Sequence, residues 1–277
     1  MKVDDLTLEK EIGKGKYSIV YLTHKKECNK EYATKKYDKK QIENNHEYFK
    51  LIKNSYVILQ CLNHPNIIKN IDIKKTANSF YIIYDYCNGG NLSEILEKYQ
   101  QKYKNSFSLK IVQHLMRQII GAISYINKEG IIHRNINLKS ILINFDTEQD
   151  KQNLNMMKAT VKISNFKYAM KNTKKILTTN INPNNNFLTR CPSHKQDIYD
   201  LGKICYQMVF GKYAYKDYSD DMEILINEIE EGKIRFPIVL SKDIISFLKC
   251  MLKNDSTKRL KINELSKHAF LINNISN

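Results

Sequence analysis

Residues 12–20 read IGKGKYSIV, with two glycines placed just before a run that alternates apolar and polar side chains. Alternation of this kind predicts β-strands, and SIVYLTH at 18–24 continues it directly. Outward along the chain, EYATKKY at 31–37 and FYIIYDY at 80–86 have the same short period. The first 88 residues are therefore predicted to form a small antiparallel sheet.

One helix is predicted among these strands, at residues 46–62, because apolar side chains recur there at helical spacing up to the turn at 63–65. Beyond Gly89 and Gly90 the pattern becomes mostly helical. Ser108 is a suitable N-cap for a core helix that ends before Gly130. The apolar stripe of that helix consists of Ile111, Leu115, Ile119, Ile123 and Ile126.

The later part of the chain contains two short strands, predicted at 141–145 and 160–164. The polar insert between them, 146–158, is predicted to be an exposed hairpin loop. An asparagine-rich loop is predicted at 171–186, and helices resume from Asp197. The chain is thus predicted to have an α+β fold of two lobes, 1–88 and 89–277, with a ligand cleft between them.

Composition limits the classes of function. The 277 residues are 42% hydrophobic, enough for a sizeable core, and no apolar stretch is long enough to span a bilayer. Six cysteines without metal-ligand spacing are typical of reduced thiols, which predicts a cytoplasmic protein and no metal site.

The net charge of +16 comes from 40 lysines and only 5 arginines, accompanied by 30 asparagines. Such a field attracts acidic surfaces. A/T-rich codons account for much of it, and no block combines dense arginine with aromatic residues, so nucleic acid is not expected as a partner.

Further motifs follow the glycine-containing run in a fixed order. They are Ala33-Thr34-Lys35, LNHPNII at 62–68, YDYCNGGNL at 84–92, His133-Arg134-Asn135, Asn165-Phe166-Lys167, DIYDLGKICYQMVFGKYAY at 197–215 and KRLKINELSKHAFL at 258–271. This series resembles the protein kinase family over nearly the whole chain, which implies the bilobal kinase fold. Two of the motifs resemble the autophagy-initiating serine/threonine kinases.

The resemblance also identifies departures from the family pattern. Kinases use one aspartate as the base, and an aspartate with an asparagine as magnesium ligands. Here Asn135 stands at the base position, and Asn165 and Ser140 stand at the metal-ligand positions. Asn137 stands where a lysine steadies the transferred phosphate. An amide cannot take a proton at neutral pH, and magnesium binds neutral ligands poorly, so these four positions are predicted to be vestigial.

Supporting positions differ as well. Ser55 stands where the regulatory helix should carry the glutamate that pairs with Lys35, and Glu47 lies about two turns away. Lys167 replaces a glycine. Residues 182–184 stand in place of an acidic segment that would pair with Arg259, which predicts that this buried arginine has lost its partner.

The nucleotide-binding positions implied by the resemblance are better kept. Val20 and Ala33 would lie above an adenine and Leu142 below it, with Tyr84 at the back and Lys35 alone at the phosphates. His133 and Phe166 are expected to pack without catalysing. The complete predicted set is Ile12, Gly13, Gly15, Val20, Ala33, Lys35, Tyr84 and Leu142. ATP bound without magnesium is the cofactor that this set predicts.

Three functions follow as hypotheses. The first is a pseudokinase, not an enzyme, that acts as a scaffold or allosteric partner of other proteins in a larger assembly, with cytoskeletal or ciliary assemblies as examples. The second is a residual ATP-dependent serine/threonine kinase, supported by the glycine-containing loop and Lys35. The third is a basic docking module for an acidic filament or polymer, supported by the net charge of +16.

Overall fold

The computed structural model describes residues 2–3, 6–25, 28–171, 194–211, 227–228 and 240–275. Its strands are β1 (Lys2–Val3), β2 (Leu6–Gly15), β3 (Ser18–Lys25), β4 (Cys28–Asp38), β5 (Asn70–Lys75), β6 (Ser79–Asp85), β7 (Gly90–Asn91), β8 (Ile131–Ile132), β9 (Ile141–Asn144), β10 (Thr160–Ile163) and β11 (Met170–Lys171). Its helices are α1 (Lys39–Glu43), α2 (His46–Gln60), α3 (Leu92–Tyr103), α4 (Leu109–Lys128), α5 (Glu148–Asn153), α6 (His194–Phe210), α7 (Lys242–Met251), α8 (Ile262–Leu265) and α9 (Ala269–Ile272).

The N-terminal lobe is built on a six-stranded antiparallel sheet in the order β1-β2-β3-β4-β6-β5. The alternating pattern of β4 puts Thr34 into the interior, where its hydroxyl lies 2.7 Å from that of Thr23 on β3. A buried hydroxyl needs such a partner, so the pair fixes the register of the central strands. The predicted α+β fold, with strands first and helices after, is confirmed.

Helix α2 is the main helix of this lobe. It begins at the N-cap Asn45, whose side chain accepts a hydrogen bond from the Tyr48 amide, and it ends at Gln60, two residues before the predicted end. Its inner face buries Ile52, Ile58 and Leu59 against the sheet and the second lobe. The helix therefore contacts both lobes.

Helix α4 is the central helix of the second lobe. Ser108 caps it as predicted, with Oγ accepting from the Ile111 amide at 3.4 Å. Every member of the predicted stripe is buried, and α6 packs beside it. The main hydrophobic core of the described residues surrounds this helix.

The insert at 146–158 differs from its prediction. It contains α5, capped by Thr147, and a 3-10 turn at Met156–Lys158 whose Met156 side chain is buried. The Tyr103 hydroxyl donates to the Asn153 carbonyl at 2.6 Å, which ties α5 to α3. The segment is helical because the Thr147 cap satisfies its first turn, a local signal that its overall polarity obscured.

The predicted division at residue 88 stays a prediction, and it falls in the connection between β6 and β7. Most of the asparagine-rich loop predicted at 171–186 lies outside the described residues. In the described part of the chain, no helix combines the length and apolar character that a membrane crossing requires.

Candidate nucleotide site

A cavity of about 550 Å³ lies between the two lobes. Its lining includes all eight positions predicted to bind nucleotide, from Ile12 in the glycine-containing loop to Leu142 on β9. Of the four positions predicted to be vestigial, Asn165 lines the cavity, whereas Asn135, Asn137 and Ser140 are outside its lining.

The register of the sheet brings the upper residues together. Val20 pairs with Lys35 across β3 and β4, and Ala33 pairs with Tyr84 across β4 and β6. Alternate residues of β4 point to the same face, so Ala33 and Lys35 both reach the cavity. Leu142 on β9 closes it from the second lobe. The arrangement provides an apolar slot for a flat ring beside a lysine.

Lys35 is largely enclosed and has no carboxylate partner. No hydrogen bond or ion pair joins its ammonium to any described residue, and the Lys35 Nζ lies over the Tyr37 ring, 5.7 Å from the ring centroid. Burial lowers the pKa of Lys35 to about 7, with the positive charge of Lys167 as a second cause. Glu47 is exposed and pairs with Lys50 at 3.0 Å, and Ser55 of α2, which lines the cavity, is uncharged. Helix α2 therefore provides no negative charge to pair with Lys35.

The polar side chains of the loop at 133–140 form hydrogen bonds with other groups of the same loop. Asn137 Nδ2 donates to the Asn135 carbonyl and to Asn135 Oδ1, both at 3.1 Å. The Ser140 hydroxyl accepts from the Asn137 amide at 2.9 Å and donates to its carbonyl at 2.8 Å. Three of the vestigial positions therefore stabilise one turn, and none of them turns an anionic oxygen toward the cavity.

Asp197 in α6 holds this loop from below. Its carboxylate accepts from the amides of His133 and Arg134, both at 2.8 Å, and supports the left-handed φ of 65° at Arg134. Burial raises the pKa of Asp197 to about 7. His133 and Phe166 are fully buried with ring centroids 4.6 Å apart, and burial lowers the pKa of His133 to about 4. Both rings pack, as predicted.

The segment after β10 forms part of the cavity wall, to which it contributes Asn165 and Lys167. Asn165 has a left-handed φ of 68° and begins a 3-10 turn at Phe166–Tyr168. The Lys167 ammonium donates to the Tyr48 hydroxyl at 3.0 Å. Asn54 Nδ2 donates to the carbonyls of Lys167 at 3.2 Å and Ala169 at 2.6 Å. Helix α2 is thus fastened to this segment by two neutral amide–carbonyl bonds from Asn54 and by one bond that the charged Lys167 ammonium donates to Tyr48.

Positive charge dominates the cavity. Four lysines line it, named here the cleft lysines: Lys14, Lys35, Lys139 and Lys167. The prediction that Lys35 alone would face the phosphates stays a prediction, and it did not anticipate that three further lysines line the same cavity. The other three cleft lysines come from the end of strand β2, the turn at Leu138–Ser140 and the turn at Phe166–Tyr168. Only the tertiary fold brings these segments together.

Two carboxylates also line the cavity, and both lie toward the connection between the lobes. Asp85 ends β6 and is 3.5 Å from Lys162. Glu94 is in the first turn of α3, where its Oε1 accepts from Asn91 Nδ2 at 2.7 Å. Each carboxylate therefore has a polar partner away from Lys35.

Magnesium is the metal that the kinase family implies at the phosphate end of the cleft. Within the described ranges, no three histidine, cysteine, aspartate or glutamate side chains are grouped so that they could hold a metal ion. Asn165 offers a neutral amide, and Lys35 and Lys167 add positive charge to the same cavity. Magnesium needs hard, preferably anionic oxygen ligands. The residues present do not fit a magnesium ion held by the protein.

The loss of an acidic partner of Arg259 stays a prediction, and the guanidinium bonds to backbone carbonyls. Its guanidinium donates to the carbonyls of Lys253, Lys195 and Asn254 at 2.7, 2.9 and 3.2 Å, and lies 4.5 Å from the Tyr199 ring centroid. Residues 182–184, proposed to replace its acidic partner, lie outside the described residues.

Some residues of the site were missed from the sequence. Asp197 could have been noticed as an acidic residue on an apolar helix, and Lys14 and Lys139 as charges inside recognised motifs. Tyr48 and Asn54 carry no sequence signal, because their partners lie 119 and 113 or more residues away.

Comparison with known proteins agrees with this geometry. Residues 6–271 match the model of the protein kinase domain. A probable myosin light chain kinase of Dictyostelium discoideum is 25% identical over 99% of this chain and 85% of its own length. ATG1c of Arabidopsis thaliana is 25% identical over 97% of this chain and 36% of its own length. Human ULK1 is 25% identical over 94% of this chain and 24% of its own length. The resemblance to the ATG1 branch is confirmed.

The prediction that this chain is not an enzyme is wrong. The family model and relatives named as serine/threonine kinases align with nearly the whole chain and point to a protein kinase enzyme. The prediction failed because it equated catalysis with the four replaced positions, Asn135, Asn137, Ser140 and Asn165. Phosphoryl transfer depends mainly on positioning and electrostatic stabilisation, for which the cleft lysines are available. The chain belongs to the protein kinase domain family.

Proposed function

We propose that this chain is an ATP-dependent serine/threonine protein kinase of low turnover, which binds ATP in the cleft without a magnesium ion of its own. The observation that carries the proposal is the single cavity lined by all eight nucleotide-binding positions, with Lys35 among them. Serine/threonine kinases among the relatives support the reaction class. The replaced polar groups support the low rate.

The reaction follows from these residues. The adenine lies between Ala33 and Leu142, and Lys35 binds the phosphates. A serine or threonine hydroxyl oxygen of the substrate attacks the γ-phosphorus, the bond to the ADP oxygen breaks, and the hydroxyl proton passes to a phosphate oxygen or to water. Asn135 can accept a hydrogen bond from that hydroxyl and cannot take its proton. Loss of a general base costs about 10²- to 10⁴-fold in rate.

The test is phosphate transfer from labelled ATP by the purified chain, with phosphorylated serine and threonine residues identified by mass spectrometry. We expect slow incorporation that Lys35→Met abolishes. Lys36→Met is the matched control, because Lys36 is the next residue of β4 and does not line the cavity. Incorporation by the unchanged chain at the level of Lys35→Met would overturn the proposal.

We also propose a cytoplasmic protein partner that presents an acidic surface. The net charge of +16 supports an acidic partner. The cysteines resolved as free thiols, Cys61, Cys87, Cys205 and Cys250, are consistent with a reducing compartment.

A further inference from the structure

The two walls of the phosphate end each carry an ammonium group. Lys35 projects from β4 in the first lobe, and Lys167 lies in the turn that follows β10 in the second. The two are close enough that the charge of Lys167 lowers the pKa of Lys35. Like charges in one partly buried cavity repel each other, and a bound anion would offset that repulsion.

Lys167 is held in this position from outside the cavity. Its ammonium donates one hydrogen bond to the Tyr48 hydroxyl at 3.0 Å, and its carbonyl accepts from Asn54. The Tyr48 ring lies against Tyr17 at the tip of the glycine-containing loop, with centroids 4.7 Å apart. An ammonium has three donors, so two remain for a ligand in the cavity.

We propose that Lys167 takes over the role of a divalent cation, so that the cleft binds free, metal-uncomplexed nucleoside di- and triphosphates through Lys35 and Lys167. This inference rests on the proposed nucleotide site and names the ionic form of its ligand. Three observations support this proposal. The two ammonium groups line one cavity from different lobes, Asn165 offers only a neutral amide there, and the two carboxylates of the described lining, Asp85 and Glu94, already have polar partners in Lys162 and Asn91.

The charge balance gives the direction of the effect. A free triphosphate presents up to four negative charges to the cleft lysines. Magnesium bound to the same oxygens removes two of those charges and adds a hydrated cation beside Lys167. Magnesium therefore competes with the protein for the phosphates, instead of linking the two as it does in sites with acidic ligands.

The experiment measures the Kd of ATP and of adenosine by titration calorimetry on the full chain, in EDTA and in excess magnesium chloride. We expect ATP to bind more tightly in EDTA. We expect Lys167→Gln to weaken ATP binding in EDTA about 10-fold or more, the usual value of a hydrogen bond between charged groups, and to leave adenosine binding unchanged.

Two further variants control for the change of charge. Lys171→Gln removes the same charge from an exposed position on β11 that does not line the cavity, and it should bind ATP like the unchanged chain. Lys167→Arg keeps the cation and should retain most of the affinity, which separates loss of charge from misfolding. The double variant Asn165→Asp with Lys167→Gly should instead bind ATP more tightly when magnesium is added.

The inference is overturned if magnesium tightens ATP binding to the unchanged chain, a result that needs no variant. It is also overturned if Lys167→Gln loses no more affinity than Lys171→Gln. Metal-free ATP binding without phosphate transfer would sink the proposed kinase activity and leave this inference standing. Phosphate transfer together with magnesium-dependent binding would overturn this inference and leave the proposed kinase activity standing.

Discussion

At the scale of single residues, Lys35 has a strongly perturbed environment. Burial lowers its pKa to about 7, aided by Lys167, from the 10.5 of an exposed lysine. Its ammonium lies over the ring of Tyr37, and burial raises the pKa of that tyrosine well above its ordinary value, so that the phenol stays neutral. Since the folded state binds the proton less tightly than the unfolded state, Lys35 costs stability below pH 7, and that cost fades as the pH rises.

This environment predicts a pH dependence of nucleotide binding. Phosphates need the charged form of Lys35, so ATP affinity should fall between pH 7 and pH 9, by at most about tenfold per pH unit. Calorimetric titrations across that range, in EDTA, measure it. Lys35→Met should bind weakly at every pH and show no such slope. A flat profile in the unchanged chain would contradict the assignment of Lys35 to the phosphates.

At the scale of elements, α2 is attached to the second lobe through hydrogen bonds of Asn54 and Tyr48, with no acidic side chain among them. Asn54 bridges to two carbonyls after β10, and Tyr48 holds Lys167. In the family pattern a glutamate of this helix pairs with the β-strand lysine. Here the helix is fixed to the wall of the cleft instead, which leaves Lys35 available to a ligand.

Removing the Asn54 amide should loosen this attachment. Asn54→Ala leaves the Lys167 and Ala169 carbonyls without their donor, and we expect a loss of about 1–3 kcal/mol in the free energy of unfolding. Urea or thermal unfolding followed by circular dichroism measures it.

Lys50→Ala on the same helix serves as the comparison. It breaks only the exposed pair with Glu47, whose side chains are 73% and 84% exposed, and should change stability by less than about 0.5 kcal/mol. Equal effects of the two variants would show that Asn54 does not anchor the helix.

At the scale of the whole molecule, the charge of +16 exceeds what the cleft lysines account for. Most of the lysines lie elsewhere on the chain and create a positive field around it. A field of this size acts over a Debye length, which shrinks from about 30 Å at 0.01 M salt to about 8 Å at 0.15 M. Binding of acidic partners should therefore depend on salt.

Polyglutamate is a simple probe of that field. We expect its affinity for the chain to fall at least about tenfold between 0.01 M and 0.15 M salt, because long-range attraction is screened. Fluorescence anisotropy of labelled polyglutamate measures the change, with a neutral polymer of equal length as the control. Salt-insensitive binding would count against an acidic partner.

Local sequence patterns determined much of this protein. The alternating runs predicted the strands, and the Ser108 cap with its stripe predicted α4, because strand and helix periodicity are properties of neighbouring residues. The resemblance of the motifs to the kinase family implied which side chains, from Ile12 to Leu142, share the cavity. The helix in the polar insert was not predicted, because the overall polarity of the insert was given more weight than the Thr147 cap.

The tertiary structure alone decided how the site is charged and held. Lys35 and Lys167 come from opposite lobes, and neither local pattern shows that both line one cavity. Lys167 donates a hydrogen bond to Tyr48, 119 positions away in the sequence, and the His133 amide donates one to Asp197, 64 positions away. Contacts between residues so far apart in the sequence depend on how whole elements pack. The local periodicity of either segment therefore cannot predict them.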